Sequence, residues 1–208
     1  MEKEIYWSRF AKDFDDKQNY VTGKYVNELV KTKLKSQKSL GKVLEFACGN
    51  GAYTKSIIDQ SSSIIATDYS EEMIEVSKNI FKNNDKVKIE QANCHNSHYE
   101  DEIFDTILMA NLIHVIDNPK NVLKECNRLL KPDGILLMTC FTIDGMNIFN
   151  KVALFYRYLK TFGSLPKART PFKLKDLSEL VENNNFNVEE AILLGEITKA
   201  IFLKAVKI

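Results

Sequence analysis

The stretch Val43-Leu44-Glu45-Phe46-Ala47-Cys48-Gly49-Asn50-Gly51 puts two glycines directly behind a short apolar run. Glycine lets the backbone approach a ligand where a side chain would collide, and a helix begun after such a turn offers free N–H groups that can hold a carboxylate. Glu45 stands out in the run, because a carboxylate ending an apolar strand is costly without a cation or donors beside it. About 17 residues past Gly51, Ile64-Ile65-Ala66-Thr67-Asp68 closes a second apolar run on another carboxylate. An acid there suits the paired hydroxyls of a ribose; it would equally cap a helix opening near Ser70. Together the glycine turn and the acid describe a nucleoside-containing ligand lying across the carboxyl ends of a sheet.

Those side chains need elements to hold them. Lys42–Ala47, Ser63–Thr67, Val87–Ala92, Phe104–Ala110 and Ile135–Phe141 read as strands. Helices are expected over Val21–Leu34, Ala52–Gln60 and Ser70–Lys82, and from Asn118-Pro119 until Pro132-Asp133-Gly134 breaks the pattern. Strands alternating with helices predict an α/β, doubly wound, mostly parallel sheet covered on both faces. Late in the chain come an aromatic-rich helix (about Asn147–Phe162), a helix at Leu174–Asn183, and two β-rich runs, Phe186–Leu194 and Ile197–Val206. Joined as tightly as Gly195-Glu196 allows, the last two must pair antiparallel, which gives the sheet an antiparallel terminal strand.

Composition narrows the function. A chain of 208 residues with 44% hydrophobic and 27% charged residues builds one full core, so a single domain over residues 1–208 is expected and wholesale disorder is excluded. A net charge of +1 argues against a protein built to neutralise nucleic-acid phosphates. No apolar run approaches a membrane span. Cys48, Cys94, Cys126 and Cys140 are spread without a paired CxxC spacing, which fits a reduced, cytoplasmic protein with no metal site.

A dinucleotide fingerprint would place a third glycine near residue 54, where Thr54 stands, and no GxxxxGK[ST] run occurs. From Val43 to Gly51 and at Asp68, the chain instead resembles the class I S-adenosylmethionine-dependent methyltransferase family, in its small-molecule branch. The resemblance implies a seven-stranded Rossmann-like sheet and S-adenosylmethionine as cofactor. It implies that Glu45, Ala47, Gly49 and Gly51 surround the methionine moiety, that Asp68 binds the ribose, and that Tyr69 and Met73 flank the adenine. Asn93 and Cys94 match the place where an acidic or amide side chain and the next N–H read the adenine edge. Asn93 departs from the usual Asp, keeping an acceptor oxygen but losing the charge. Ala47 departs from a frequent glycine. Asn111-Leu112-Ile113-His114-Val115 matches the segment passing the methyl group, and residues 1–38 resemble a helical lid.

Methyl transfer from a sulfonium is a direct displacement that mainly needs alignment. A base is needed only for an acceptor that carries a proton, and His114 is the candidate; its other reading is a polar residue that fixes a loop. Acceptor choice is expected in the helical insert at 144–172, whose apolar groups would shape a small-molecule pocket, pack on the sheet or form a homodimer surface. Two alternatives stand. Cys94 and Cys140, both expected at the sheet's carboxyl edge, would suit a metalloid such as arsenic as methyl acceptor. A chain with this fold could also bind the cofactor as a regulator without turnover.

Overall fold

The computed structural model describes residues 4–165 and 170–208. Three helices lead the chain: α1 (Glu4–Ser8), α2 (Phe14–Thr22) and α3 (Lys24–Lys35). The strands are β1 (Gly41–Phe46), β2 (Ser61–Asp68), β3 (Val87–Gln91), β4 (Phe104–Ala110), β5 (Leu130–Thr142), β6 (Phe186–Leu194) and β7 (Lys199–Lys207). Between them run α4 (Thr54–Ile57), α5 (Glu71–Phe81), α6 (Pro119–Leu129), α7 (Ile148–Phe162) and α8 (Leu174–Glu182). The seven strands form one sheet in the order β3-β2-β1-β4-β5-β7-β6. Pairing is parallel from β3 through β5, and β7 runs antiparallel to both of its neighbours. The chain-terminal strand is thus the antiparallel one, inserted one place in from the edge, and β6 becomes the edge.

The chain leaves β1 toward β2 on one side and later returns to β4 on the other, so the strand order reverses between β1 and β4. A sheet of this kind opens a crevice at the carboxyl ends of its strands at such a reversal. The loops after β1, β2, β3 and β4 all emerge there, and they carry Ala47–Tyr53, Asp68–Ser70, Asn93–Cys94 and Asn111–His114.

Both sheet faces are sealed by apolar helix stripes. On one face Val122, Leu123, Cys126 and Leu129 of α6 and Leu177 and Val181 of α8 pack on Leu44, Phe46, Ile107 and Met138. On the other, Val26, Val30 and Leu34 of α3 and Ile57 of α4 pack on Val43, Ile64, Leu108 and Phe202. Central strands covered on both faces explain why the strand sequences read as continuous apolar runs.

Several elements differ from the sequence expectation. The helix expected at Val21–Leu34 begins only at Lys24, because Gly23 (φ 92°) turns the chain and its N–H closes α2 on Asn19 O. That expected over Ala52–Gln60 is one α turn, Thr54–Ile57, followed by a 3₁₀ turn at Ile58–Gln60. The helix expected to run up to Pro132-Asp133-Gly134 already ends at Leu129, and β5 starts at Leu130 and absorbs the three residues in a register shift, with Asp133 at φ 59°. β7 begins at Lys199, the Thr198 hydroxyl being held by Thr22 O. The start of α5 at Ser70 was legible. Ser70 Oγ accepts from Met73 N, and Asn147 Oδ1 accepts from Asn150 N at 2.8 Å.

Candidate active site

The loop after β1 is wound left-handed at alternate residues, with Ala47 at φ 55°, Gly49 at φ 56° and Gly51 at φ 78°. Ala47 holds this conformation with a Cβ, which fits a position where glycine is the frequent residue. Neighbouring elements clamp the loop. Cys48 N donates to Thr67 O (2.8 Å), Gly49 N to Asp68 Oδ2 (2.9 Å), and the Ser77 hydroxyl of α5 to Gly49 O (2.6 Å). The other Asp68 oxygen accepts Ser70 N at 2.9 Å, so the carboxylate helps to open α5, the second of its two expected uses, and also ties down the glycine loop. Burial pushes its pKa up, and the N–H groups of Ser70 and Gly49 pull against that shift.

Gly51 serves a different purpose from Gly49. A Cβ on Gly51 would lie 2.3 Å from Cε2 of Phe81, whereas one on Gly49 would meet nothing closer than Met73 Sδ at 4.0 Å. Gly51 lets α5 approach the loop and does not line the cavity described below; Gly49 does. Gly51→Ala combines a left-handed conformation with a ring collision, and a loss of about 3 kcal/mol is expected. In a chain of this size that lowers Tm by roughly 6–12 °C. Gly49→Ala should lose less than half as much, and equal losses in thermal melts would contradict this division of roles.

Glu45 is also not at the cavity wall. It is fully buried beneath the loop, where Oε2 accepts the Thr54 hydroxyl at 2.5 Å and Oε1 finds no partner among the described residues. Burial pushes its pKa up to about 8; the Thr54 hydrogen bond opposes the shift and the negative charge of Asp68 adds to it. Because the folded-state pKa is the raised one, its stabilising contribution is complete below about pH 4.5 and is lost as pH rises through about 8. Glu45→Gln should therefore gain stability relative to the parent between pH 5 and 8.5, on the order of a few kcal/mol. A Tm difference between the two proteins that stays constant with pH would refute this.

Around this loop lies a cavity of about 810 Å³. Ala47, Gly49, Asp68, Tyr69, Met73, Asn93, Cys94, Asn111 and His114 all line it, bringing together nine of the eleven residues singled out from sequence. Asn93 Oδ1 already accepts His95 N (2.9 Å), leaving its second lone pair and its NH₂ for a ligand. The loop carrying it is anchored by Glu125 of α6, which accepts both Ser97 N and the Ser97 hydroxyl at 2.7 Å and pairs with Arg128 at 2.8 Å. His95 lines the cavity as well.

Cys140 corrects the metalloid reading. It is fully buried on the sheet face shared with Leu136 and Met138, because side chains two apart on a strand share a face, and it does not line the cavity. Of the two, only Cys94 reaches the wall, its thiol pushed up to about 12 by burial. Among the described residues no group of three or more His, Cys, Asp or Glu is placed to hold a metal ion.

Sequence reasoning missed Tyr53 and Gln18. The Tyr53 hydroxyl donates to Asn27 Oδ1 (3.3 Å) and accepts from Gln18 Nε2 (3.2 Å) and Asn111 Nδ2 (3.0 Å), tying α2, α3 and the loops after β1 and β4 together. Burial pushes this phenol well above its ordinary pKa, so it stays protonated and able to donate. The available signal was Asn27, a polar residue amid the apolar stripe of α3 and now buried. The roof is aromatic. Trp7 and Phe10 pack edge-on against Phe162 of α7, at 5.7 and 5.0 Å between ring centroids. Trp7, Phe14, Val152, Phe155 and Phe162 face the cavity.

Comparison with known proteins falls on this same region. Residues 44–138 match the family described as methyltransferase domain. The demethylmenaquinone methyltransferase of Staphylococcus saprophyticus is 26% identical over 155 residues, which is 72% of this chain and 64% of that one. The chain thus spans just under two thirds of the length of such relatives. Among solved structures, a SAM-dependent methyltransferase from Aquifex aeolicus superposes with a TM-score of 0.72 at 17% identity, covering 97% of this chain and 98% of that one. A possible histamine N-methyltransferase from Thermotoga maritima gives 0.71 at 20%, covering 98% and 100%. The structural likenesses carry the fold, and the sequence match carries the loops that wall the crevice. Residues 44–138 thus carry the sequence of a methyltransferase domain, and the chain as a whole resembles the class I S-adenosylmethionine-dependent methyltransferases in fold.

Proposed function

We propose that the chain transfers the methyl group of S-adenosylmethionine to an apolar small-molecule acceptor held in the same cavity. The carrying observation is that one cavity joins two unlike walls: the polar strand-end loops and the aromatic roof built by α1, α2 and α7. Its volume lies toward the upper end of the roughly 300–1,000 Å³ usual for ligand pockets, enough for a cofactor and an acceptor together.

The residues present fit the cofactor. Asp68 would take the ribose hydroxyls, Met73 and Tyr69 would flank the adenine, and the Asn93 amide would read its edge. At Gly49 the wall leaves room beside Met73 for a ligand that a side chain would displace. S-adenosylmethionine would supply there an electrophilic methyl group on a positively charged sulfur. Asp15 and Asp68 at the wall give the site the negative character that holds a cation. The apolar roof excludes water and, together with Asn111, aligns the acceptor with the methyl carbon. His114 would take the proton of an acceptor hydroxyl, leaving that oxygen electron-rich enough for the acceptor to attack an electrophilic carbon.

The names of the Staphylococcus relatives indicate which acceptors to try first: flat apolar rings with an ionisable hydroxyl, of the demethylated quinol type. The test is incubation with S-adenosylmethionine and such phenols, with mass-spectrometric detection. One methyl group per acceptor and matching S-adenosylhomocysteine are expected. Cofactor binding without product across apolar and polar acceptors alike would favour the regulatory, non-catalytic alternative.

A further inference from the structure

We propose that the outer face of α7 docks on an anionic lipid bilayer and seats the mouth of the cavity against the membrane surface. This goes beyond methyl transfer and does not depend on it.

An amphipathic helix in a globular domain normally turns its apolar stripe to the core. α7 does the reverse along most of its length. Ile148, Phe149, Val152, Phe155 and Tyr156 are between 48% and 82% exposed, and Phe162, at the last position, is its one buried residue. At about 100° per residue the five exposed side chains fall within an arc of roughly 120°, with Lys151 just outside one margin and Lys160 just outside the other. Apolar residues between flanking lysines form the pattern of a helix lying in a membrane interface, the rings below the headgroups and the ammonium groups level with them.

Charge selects the partner. From Gly145 to Lys175 the sequence holds seven lysines and arginines and no aspartate or glutamate, while the remainder of the chain is net acidic. A near-neutral protein that collects its positive charge in the one stretch of sequence that also carries an exposed apolar stripe is matched to a surface both anionic and apolar beneath. A second copy of the chain would set this like-charged segment against itself. Val152, Phe155 and Lys151 also line the cavity, so the face is continuous with the site. No helix among the described residues is long and apolar enough to cross a membrane, so the contact is interfacial.

The test is co-sedimentation of the full chain with vesicles of phosphatidylglycerol and phosphatidylcholine in equal parts, against vesicles of phosphatidylcholine alone. Binding is expected to the anionic vesicles, weakened severalfold by high salt. Phe149 and Tyr156 do not line the cavity, so Phe149→Glu/Tyr156→Glu should cut vesicle binding at least about tenfold while leaving S-adenosylhomocysteine affinity unchanged. Lys160→Glu, a single exposed change, should weaken binding to the anionic vesicles alone. Failure of the parent chain to sediment with them would overturn the proposal. So would equal binding by the double variant, or a parent dimer in light scattering that the double variant converts to monomer.

Discussion

Asp68→Ala is expected to lower affinity for S-adenosylmethionine and S-adenosylhomocysteine by about 100-fold or more. Hydrogen bonds to an ionised group are worth about 1.5–3 kcal/mol each, and a carboxylate facing two ribose hydroxyls makes two of them. The change also releases the N–H groups of Gly49 and Ser70, so the glycine loop loses its clamp to β2 and α5 loses part of its N-terminal fixing. Stability should fall by about 1–3 kcal/mol, small enough to leave a folded protein. Asp68→Asn keeps the shape but can accept through only one of its two terminal atoms, and an intermediate loss of affinity is expected. Trp7 is the chain's one tryptophan and lines the cavity, so its fluorescence offers a direct titration readout. Undiminished affinity in a folded Asp68→Ala protein would move the nucleoside away from the end of β2.

His114→Ala is expected to reduce kcat by about 100-fold for an acceptor that carries its proton at neutral pH, the usual scale for losing a positioned base. Affinity for S-adenosylhomocysteine should change less than about twofold, because the side chains proposed to face the nucleoside lie on the loops after β2 and β3. A structural role gives a different outcome. The backbone of His114 accepts Thr170 N at 2.9 Å, a bond between the loop after β4 and the segment before α8 that survives the substitution. The discriminating measurement is kcat against pH. If His114 is the base, activity of the variant should recover as pH rises and the acceptor ionises unaided. An equal loss at every pH would assign His114 to loop positioning only.

Much of this was legible in the sequence because the decisive features are local. Runs such as Phe104–Ala110 and Phe186–Leu194 coincide with strands to the residue: the first is a central strand buried along nearly its whole length, and the second is an edge strand bounded by turns at Asn185 (φ 64°) and Gly195 (φ 90°). Gly49 and Asp68 met as expected because both sit where a strand ends, which chain order alone determines. What could not be read was the third dimension of single positions. Gly51 and Glu45 stand in the same motif as Gly49, yet one turns to Phe81 and the other lies below the loop, and only the path of α5 and the depth of β1 decide this. Cys140 was misplaced by one step of strand alternation. The Gln18–Tyr53–Asn27–Asn111 network joins residues up to 93 apart, of which only Asn111 stands in a motif, and no pattern of spacing could assemble it. The exposed stripe of α7 has an ordinary helical period; that it faces outward is a property of the packing around it.

Calorimetric titration of the purified chain with S-adenosylhomocysteine tests the central claim most directly. The account predicts saturable binding of one molecule per chain, lost in Asp68→Ala and kept in His114→Ala. A folded chain that gives no binding heat with this ligand or with S-adenosylmethionine would contradict it, leaving the architecture without the cofactor.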